Sequence, residues 1–337
     1  MSEDGEYKMK EEFRNKKICF LGDSIIQNGE FINCLRSYFQ NNTCQTSPLF
    51  FNRGLGGNRS IMAQALLEDE VISLRPDYCF VHYGVNDLGI WLYDSDKEET
   101  EALLQEREER NRLFFKGIEN VVKTLKEKGI KPVLISPCAV NERLVERNEI
   151  QTVKDNKEKE KLINNSFYKK KTFKNINLAL RAYNEKLKTY AKDENIGYVD
   201  VFSRMLFLLE NSEKLYGADG IHLTEVGQQE LAKIILQYLS CKNIPEMFPK
   251  DEWVEQLAEI EKTERKIQYV KWAVFHPSLG YDVTEVEKNA RQKLQEKDLS
   301  VFLKDAIRTY LQYNGNVEGL RVALWDLMKT RIKTETL

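Results

Sequence analysis

The sequence predicts an α/β fold: a doubly wound, five-stranded parallel sheet flanked by helices, followed by an all-helical C-terminal extension. Three observations carry this. Five short apolar runs alternate with stretches of helical periodicity through most of the chain. The runs are nearly continuous in hydrophobics rather than alternating, as strands covered on both faces must be. From about Pro245 the strand pattern vanishes and only helical stripes remain.

The elements follow in order. Lys17 to Leu21 is a buried strand ended by Gly22, and Phe31, Leu35 and Phe39 then share one helical face. Leu49-Phe50-Phe51 is the second strand, closed by the Gly54 to Gly57 turn, and Ser60 to Val71 reads as a helix. Asp77 to Tyr83 is the third strand, ending at Gly84, and Asn111 to Lys128 is a helix stopped by Gly129. Pro132 to Ser136 is the fourth strand, ended by Pro137. Leu178 to Lys192 is helical, Gly197 to Val201 is the fifth strand, and Thr224 to Leu239 is the next helix. This alternation is that of a flavodoxin-like sheet, in which ligands bind beyond the carboxyl ends of the strands.

Two insertions interrupt it. Trp91 to Glu109 is acidic with a few aromatics. Asn141 to Thr172 is crowded with Lys, Glu and Asn, a composition typical of a solvated loop. Its place at the strand carboxyl ends makes a substrate-facing lid the rival expectation. In the extension, Trp253, Leu257, Ile260, Ile267, Val270 and Val274 mark one helical face, followed by a turn at His276-Pro277-Ser278-Leu279-Gly280. Asp282 or Asp298 is expected to cap the next helices. Gly315 should end the helix that carries Phe302, Leu303, Ile307 and Leu311. A last helix carries Val317, Leu320, Leu324, Leu327 and Met328. The division expected is a tail over 1–14, a catalytic domain over 15–243 and a helical extension over 244–337. The apolar stripes of the extension should pack on the catalytic domain, on a second subunit of a homo-oligomer, or on both.

Composition limits the function. The 337 residues are 42% hydrophobic and 31% charged, enough for a sizeable core, and a formal charge of −2 offers no basic footprint for nucleic acid. No apolar run is long enough to span a bilayer. The acidic start, Met1 to Glu6, is unlike a signal peptide. The six cysteines form no C-x-x-C pair, and Cys19 and Cys79 lie inside strand-like runs. A reduced, cytoplasmic protein is the simpler expectation. The three histidines, His82, His222 and His276, have no paired spacing, so no metal and no cofactor is expected. His82, inside the third strand, reads as a core residue.

Four separated segments each supply one part of a serine esterase. Gly22-Asp23-Ser24 offers a hydroxyl nucleophile. Asn52 to Asn58, through Gly57, offers a backbone N–H, and Gly84-Val85-Asn86-Asp87 offers a carboxamide; both suit an oxyanion hole. Asp219-Gly220-Ile221-His222 offers a base with an acid three residues before it, within one turn of chain. Alone, each has an ordinary explanation: a strand-closing turn, a loop needing positive φ, a helix cap, a surface histidine. Together they follow strands one, two, three and five and converge on one edge of the sheet. Asp23 is the rival triad acid, though holding nearby loop amides suits it better.

This arrangement resembles the SGNH hydrolase superfamily, the GDSL esterases and lipases, over about residues 15 to 242. The resemblance places the serine of its first block on Ser24, the glycine of its second on Gly57, the asparagine of its third on Asn86, and the last block on Asp219 and His222. It implies an oxyanion hole formed by the Ser24 N–H, the Gly57 N–H and the Asn86 amide. Two departures stand out: Gly29 follows the nucleophile one position later than usual, and Gly57-Asn58-Arg59 replaces the frequent Gly-Asp-Thr. The second puts an unusual arginine near the mouth of the site. The expected function is hydrolysis of a carboxylic ester through an acyl-serine. Likeness to acetylesterases of carbohydrates makes a short acyl group on a sugar, or on a similar small alcohol, the first choice of substrate. The rivals are an acyltransferase with the same acyl-serine, a lysophospholipase or thioesterase-type acyl hydrolase, and a non-catalytic binding protein working through its C-terminal helices.

Overall fold

The five apolar runs form the strands β1 (Lys17–Gly22), β2 (Leu49–Gly54), β3 (Tyr78–His82), β4 (Lys131–Ile135) and β5 (Gly197–Val199), all parallel, in the order β2-β1-β3-β4-β5. The computed structural model describes residues 9–41, 47–93, 95, 98–143, 173–241, 243–274, 285–296 and 299–333. The expected lid, from residue 144 to 172, the His276 turn, Asp282 and Asp298 lie outside them. The register aligns Gly22 with Gly54 and His82, His82 with Ile135, and Ile135 with Val199, so all five strands end at one level. A row of loops leaves the sheet there.

The crossovers are helical: α1 (Ser24–Asn28), α2 (Glu30–Asn41), α3 (Glu101–Glu127), α4 (Ile176–Asp193), α5 (Val201–Asn211) and α6 (Glu225–Tyr238). On one face, Phe20 of β1 meets Phe31 of α2 edge-on at 5.0 Å between ring centroids, and Phe80 of β3 meets Tyr238 of α6 at 5.8 Å. On the other, Phe114 of α3 stacks on Tyr183 of α4 at 4.2 Å. Each buried ring contributes roughly 1.5–3 kcal/mol of transfer free energy, so these contacts fix the layers. Met9 and Phe13 are buried in the same core.

Two expectations change. The helix predicted over Ser60 to Val71 is broken into Ser60–Ala63, a 3-10 turn at Gln64–Leu66, Leu67–Glu70 and another 3-10 turn at Ile72–Leu74. Its periodicity reflects burial on one side of an irregular path. The helix predicted from Asn111 starts at Glu101, with Thr100 accepting from the Leu103 N–H as its cap. Much of the acidic insertion is therefore the solvent-facing first half of α3. Arg107 donates to the Leu92 carbonyl and lies 4.3 Å over the Tyr93 ring, tying that half to the loop after β3.

The extension folds as α7 (Glu252–Tyr269), a π-helical turn (Val270–Val274), α8 (Val286–Lys293), α9 (Val301–Gln312) and α10 (Glu318–Lys333). Ser300 caps α9 through the Leu303 N–H, and Gly315, with φ of 66°, follows its end as expected. Ile267, Val270, Val286, Ala290, Ala306, Ile307 and Tyr310 form a core of its own. A further cluster joins Leu257 of α7 and Leu324 and Met328 of α10 to Phe51 of β2.

Helix α7 also closes the open edge of the sheet by charge. Glu261 accepts from Nη1 and Nη2 of Arg36 at 3.0 and 3.1 Å and from the Asn52 N–H of the edge strand at 2.8 Å. Glu264 accepts from Arg53 at 2.8 Å and from Arg321 at 2.7 Å, and Glu70 accepts from Arg265 at 2.6 Å and Arg321 at 2.9 Å. Apart from Arg321 all of these charged side chains are buried. Burial pushes the Glu264 carboxyl up, but Arg265, Arg53 and Arg321 outweigh it and hold the group down at about 2. Buried charges of this kind persist only when paired.

Candidate active site

Ser24 is the first residue of α1, directly beyond the end of β1. The turn is made locally: Asp23 accepts from the Ile25 N–H at 3.0 Å as N-cap, and Gly29, at φ of 78°, ends the single helical turn. The late glycine therefore serves as a left-handed C-cap that only a residue without Cβ adopts freely. Beyond β2, Gly57 stands exposed at φ of 73° with open space around it. Beyond β3, Asn86 sits in the single turn Val85–Leu88 and donates through Nδ2 to the Asn58 carbonyl at 3.2 Å. A carboxamide nitrogen has two hydrogens, so one remains for a ligand.

His222 reaches the same edge from the loop before α6. Its Nε2 lies 2.9 Å from Ser24 Oγ, and its Nδ1 lies 2.5 Å from Asp219 Oδ2. The Ile221 and His222 N–H groups donate to Asp219 Oδ1, both at 2.9 Å. Burial raises the Asp219 carboxyl, but the hydrogen bonds from His222 and the two backbone amides prevail and lower it to about 2. An ionised carboxylate only accepts, so Nδ1 carries a proton and Nε2 is left to accept from the serine hydroxyl. Asp219 in turn lifts the His222 pKa above the ordinary imidazole value, against the opposing effect of burial. The structure thus brings Ser24, His222 and Asp219 together in hydrogen-bonding sequence, at an open site where the His222 and Asp219 side chains are half exposed.

Asp23 lies elsewhere. It is buried, 3.7 Å from His82 Nδ1, and burial pushes it up to about 6 despite the Ile25 N–H and the His222 charge. Burial likewise depresses His82 to about 4, so its imidazole is neutral in the core, 3.7 Å from Cys138 Sγ.

Three residues without a role in the sequence reading hold the loops. Asp87, beside Asn86, accepts from the Ser60 N–H at 2.9 Å and the Ser60 hydroxyl at 2.6 Å, joining the loops after β2 and β3. Burial is the main reason its pKa is pushed up to about 7. Gln27 of α1 accepts from the Gly56 N–H, and Asn52 donates to the Gln27 carbonyl and accepts from the Gly54 N–H. Asp87 had a signal, being part of the Gly84 to Asp87 segment. Asn52 likewise opens the Asn52 to Asn58 segment, whereas Gln27 had no signal. Arg59 is half-buried at the mouth, its N–H held by the Asn58 side chain at 2.9 Å.

Comparison with known proteins follows this geometry. No curated protein sequence matches the chain. Among solved structures, a gut microbial diltiazem-metabolizing enzyme aligns over 95% of this chain and 94% of its own, at 14% identity and a TM-score of 0.70, so the shared fold includes the C-terminal helices. The acetyl xylan esterase AlAXEase covers 66% of this chain and 98% of its own at 22% identity and a TM-score of 0.46. A lipase/acylhydrolase from Enterococcus faecalis covers 67% and 97% at 17% identity and a TM-score of 0.44. No helix among the described residues is long and apolar enough to cross a membrane. The model of the GDSL-like Lipase/Acylhydrolase family matches residues 20–230, from within β1 through His222 into α6. That match takes in all four connections between the five strands and every loop just described, and the chain belongs to this family of carboxylic ester hydrolases.

Proposed function

We propose that this protein cleaves short-chain carboxylic esters, most suitably acetyl groups on a carbohydrate or similar small alcohol, through an acyl-enzyme on Ser24. The observation that carries the reading is the unbroken chain from Ser24 Oγ to His222 Nε2 at 2.9 Å and from His222 Nδ1 to Asp219 at 2.5 Å. Ser24 Oγ attacks the ester carbonyl while its proton passes to Nε2, and Asp219 stabilises the imidazolium. The carbonyl oxygen becomes an oxyanion facing the Ser24 and Gly57 N–H groups and the Asn86 amide. On collapse, the imidazolium gives its proton to the departing alkoxide. Water, deprotonated by the same imidazole, then releases the acid and restores the serine. Each oxyanion donor is worth about 3 kcal/mol of barrier.

A short acyl group suits an open triad whose His222 and Asp219 side chains are half exposed. The test is a series of p-nitrophenyl esters of rising acyl length, run on the wild type and on Ser24→Ala. Acetate should be preferred, and the variant should lose essentially all turnover while keeping its thermal transition. Preference for long acyl chains would overturn the substrate class. Substantial activity in the purified variant would overturn the nucleophile.

A further inference from the structure

Helix α7 ends at Tyr269, and the ring of that tyrosine lies on the loop that carries Gly57. A Cβ placed on Gly56 would be 3.3 Å from Tyr269 Cε2, 3.6 Å from Cδ2 and 3.1 Å from Gln27 Oε1. Gly56 is buried beneath these groups, while Gly57 beside it is exposed. The Gly57 N–H belongs to the peptide that joins these two residues, so the ring packs on the residue directly before the amide assigned to the oxyanion. Phe302, at the start of α9, meets Tyr269 nearly edge-on at 5.3 Å and is 48% exposed. Two rings from the C-terminal helices thus form a wall beside the loop, one half-buried and one open to solvent.

Three features make this wall more than surface packing. Gly56 has negative φ, so its lack of a side chain serves close approach of the ring rather than backbone freedom. The helix that carries Tyr269 is pinned to α2 by the buried Glu261–Arg36 pair and to β2 by the buried Glu264–Arg53 pair, both within eight residues of the ring, so its position relative to the loop is fixed. Finally, the helix changes to π-helical winding directly after Tyr269. Such windings re-aim side chains and recur at functional sites.

We propose that Tyr269, with Phe302 behind it, forms the subsite for the alcohol portion of the ester and selects alcohols that present a flat ring face, pyranose or aromatic. This rests on the acyl-serine reading of the site. With a short acyl group on Ser24, the alcohol is the part of the substrate large enough to need a wall. Aromatic faces accept ring faces by dispersion and CH contact, and an exposed ring next to a polar catalytic edge is preorganised for it. The extension thereby contributes specificity to a reaction whose chemical groups lie before residue 230.

The test uses acetates only, on the full chain. p-Nitrophenyl acetate, glucose pentaacetate and ethyl acetate all form the same acetyl-serine. A contact to the alcohol therefore changes the ratio of their kcat/KM values, whereas a disturbed oxyanion loop slows all three in proportion. Tyr269→Ala should lower the preference for the two ring-bearing acetates over ethyl acetate about fivefold, and Tyr269→Phe should hold it within about twofold. Phe302→Ala, at an exposed position that does not endanger folding, should lower the preference about threefold. Proportional loss on all acetates, or unchanged ratios in Phe302→Ala, would overturn the subsite. Reaction of Ser24 with a fluorophosphonate probe in the wild type separates the two readings: labelling with unchanged ratios sinks the subsite alone, and no labelling with no acetate hydrolysis sinks the esterase reading as well.

Discussion

Asp219 and Asp23 are both carboxylates near a histidine, and their surroundings divide them. Asp219 accepts three N–H bonds and is held at about 2, whereas Asp23 is buried beside a neutral imidazole and pushed up to about 6. Asp219→Asn should therefore cost on the order of 10⁴ in kcat, because an amide favours the wrong tautomer of His222. Asp23→Asn should cost far less. The pH profile adds a sign. With His222 as the proposed base, activity requires its neutral form; Asp219 raises its pKa, so the acid limb of kcat/KM should lie above the usual imidazole value of about 6.5 and move down in Asp219→Asn. The reverse ranking of the two variants would transfer the acid to Asp23. Asp87 carries a stability prediction instead. Its folded-state pKa, about 7, exceeds the unfolded value, so the native state holds the proton more tightly and stability falls as pH rises from about 4 to 7. Asp87→Asn retains the Oδ1 acceptor for Ser60 and removes this titration. The wild-type-minus-variant difference in unfolding free energy should drop by a few kcal/mol in order of magnitude between pH 5 and pH 8, measured by urea denaturation. A pH-independent difference would show that Asp87 stays ionised throughout.

Helix α7 shows where sequence reading stops. Its apolar stripe was legible, since Leu257, Ile267 and Val270 recur at helical spacing and are buried. Glu261, Glu264 and Arg265 were not. On an isolated amphipathic helix they read as solvent-facing charges, and their burial depends on Arg36, Arg53 and Glu70, about two hundred residues away in sequence. Nothing local in the chain encodes such a pairing. Charge count then predicts an asymmetry. The cluster joins three arginines (Arg53, Arg265, Arg321) to two glutamates (Glu70, Glu264). Glu264→Gln leaves three cations facing one anion and should cost about 3–5 kcal/mol of stability. Arg53→Met leaves two facing two and should cost less. Urea midpoints of the two variants decide it, and equal or inverted losses would mean that packing rather than charge governs the cluster.

At the scale of the molecule, what could be read from the chain was whatever depends on neighbours in sequence. The five strands, the four loop segments at their carboxyl ends and the pairing of Asp219 with His222 all fall in this class, because strand periodicity and a three-residue spacing are local. The broken path from Ser60 to Leu74 and the charged partners that attach the extension depend on distant surfaces and were not legible, although its apolar stripes were expected to pack on the catalytic domain and do. That attachment sets the last prediction. A chain ending at Asn243 keeps Ser24, Gly57, Asn86, Asp219 and His222, and by motif content alone it should remain an esterase. The structure argues otherwise. Truncation removes Glu261 and Glu264, leaving Arg36 and Arg53 without their carboxylates and the Asn52 N–H without its acceptor, all at the strand that leads into the Gly57 loop. It also uncovers Phe51, now 1% exposed. Without α7 and α10 the edge strand β2 loses both its apolar cover and its hydrogen-bonded partner, and a bare edge of this kind favours association. The truncated chain should lose its cooperative thermal transition and aggregate in size-exclusion chromatography, with activity lost on p-nitrophenyl acetate as well as on large substrates. If it instead stays monomeric, unfolds cooperatively and turns over every ester at the full-length rate, the extension is an independent module and the buried ion pairs hold nothing that catalysis needs.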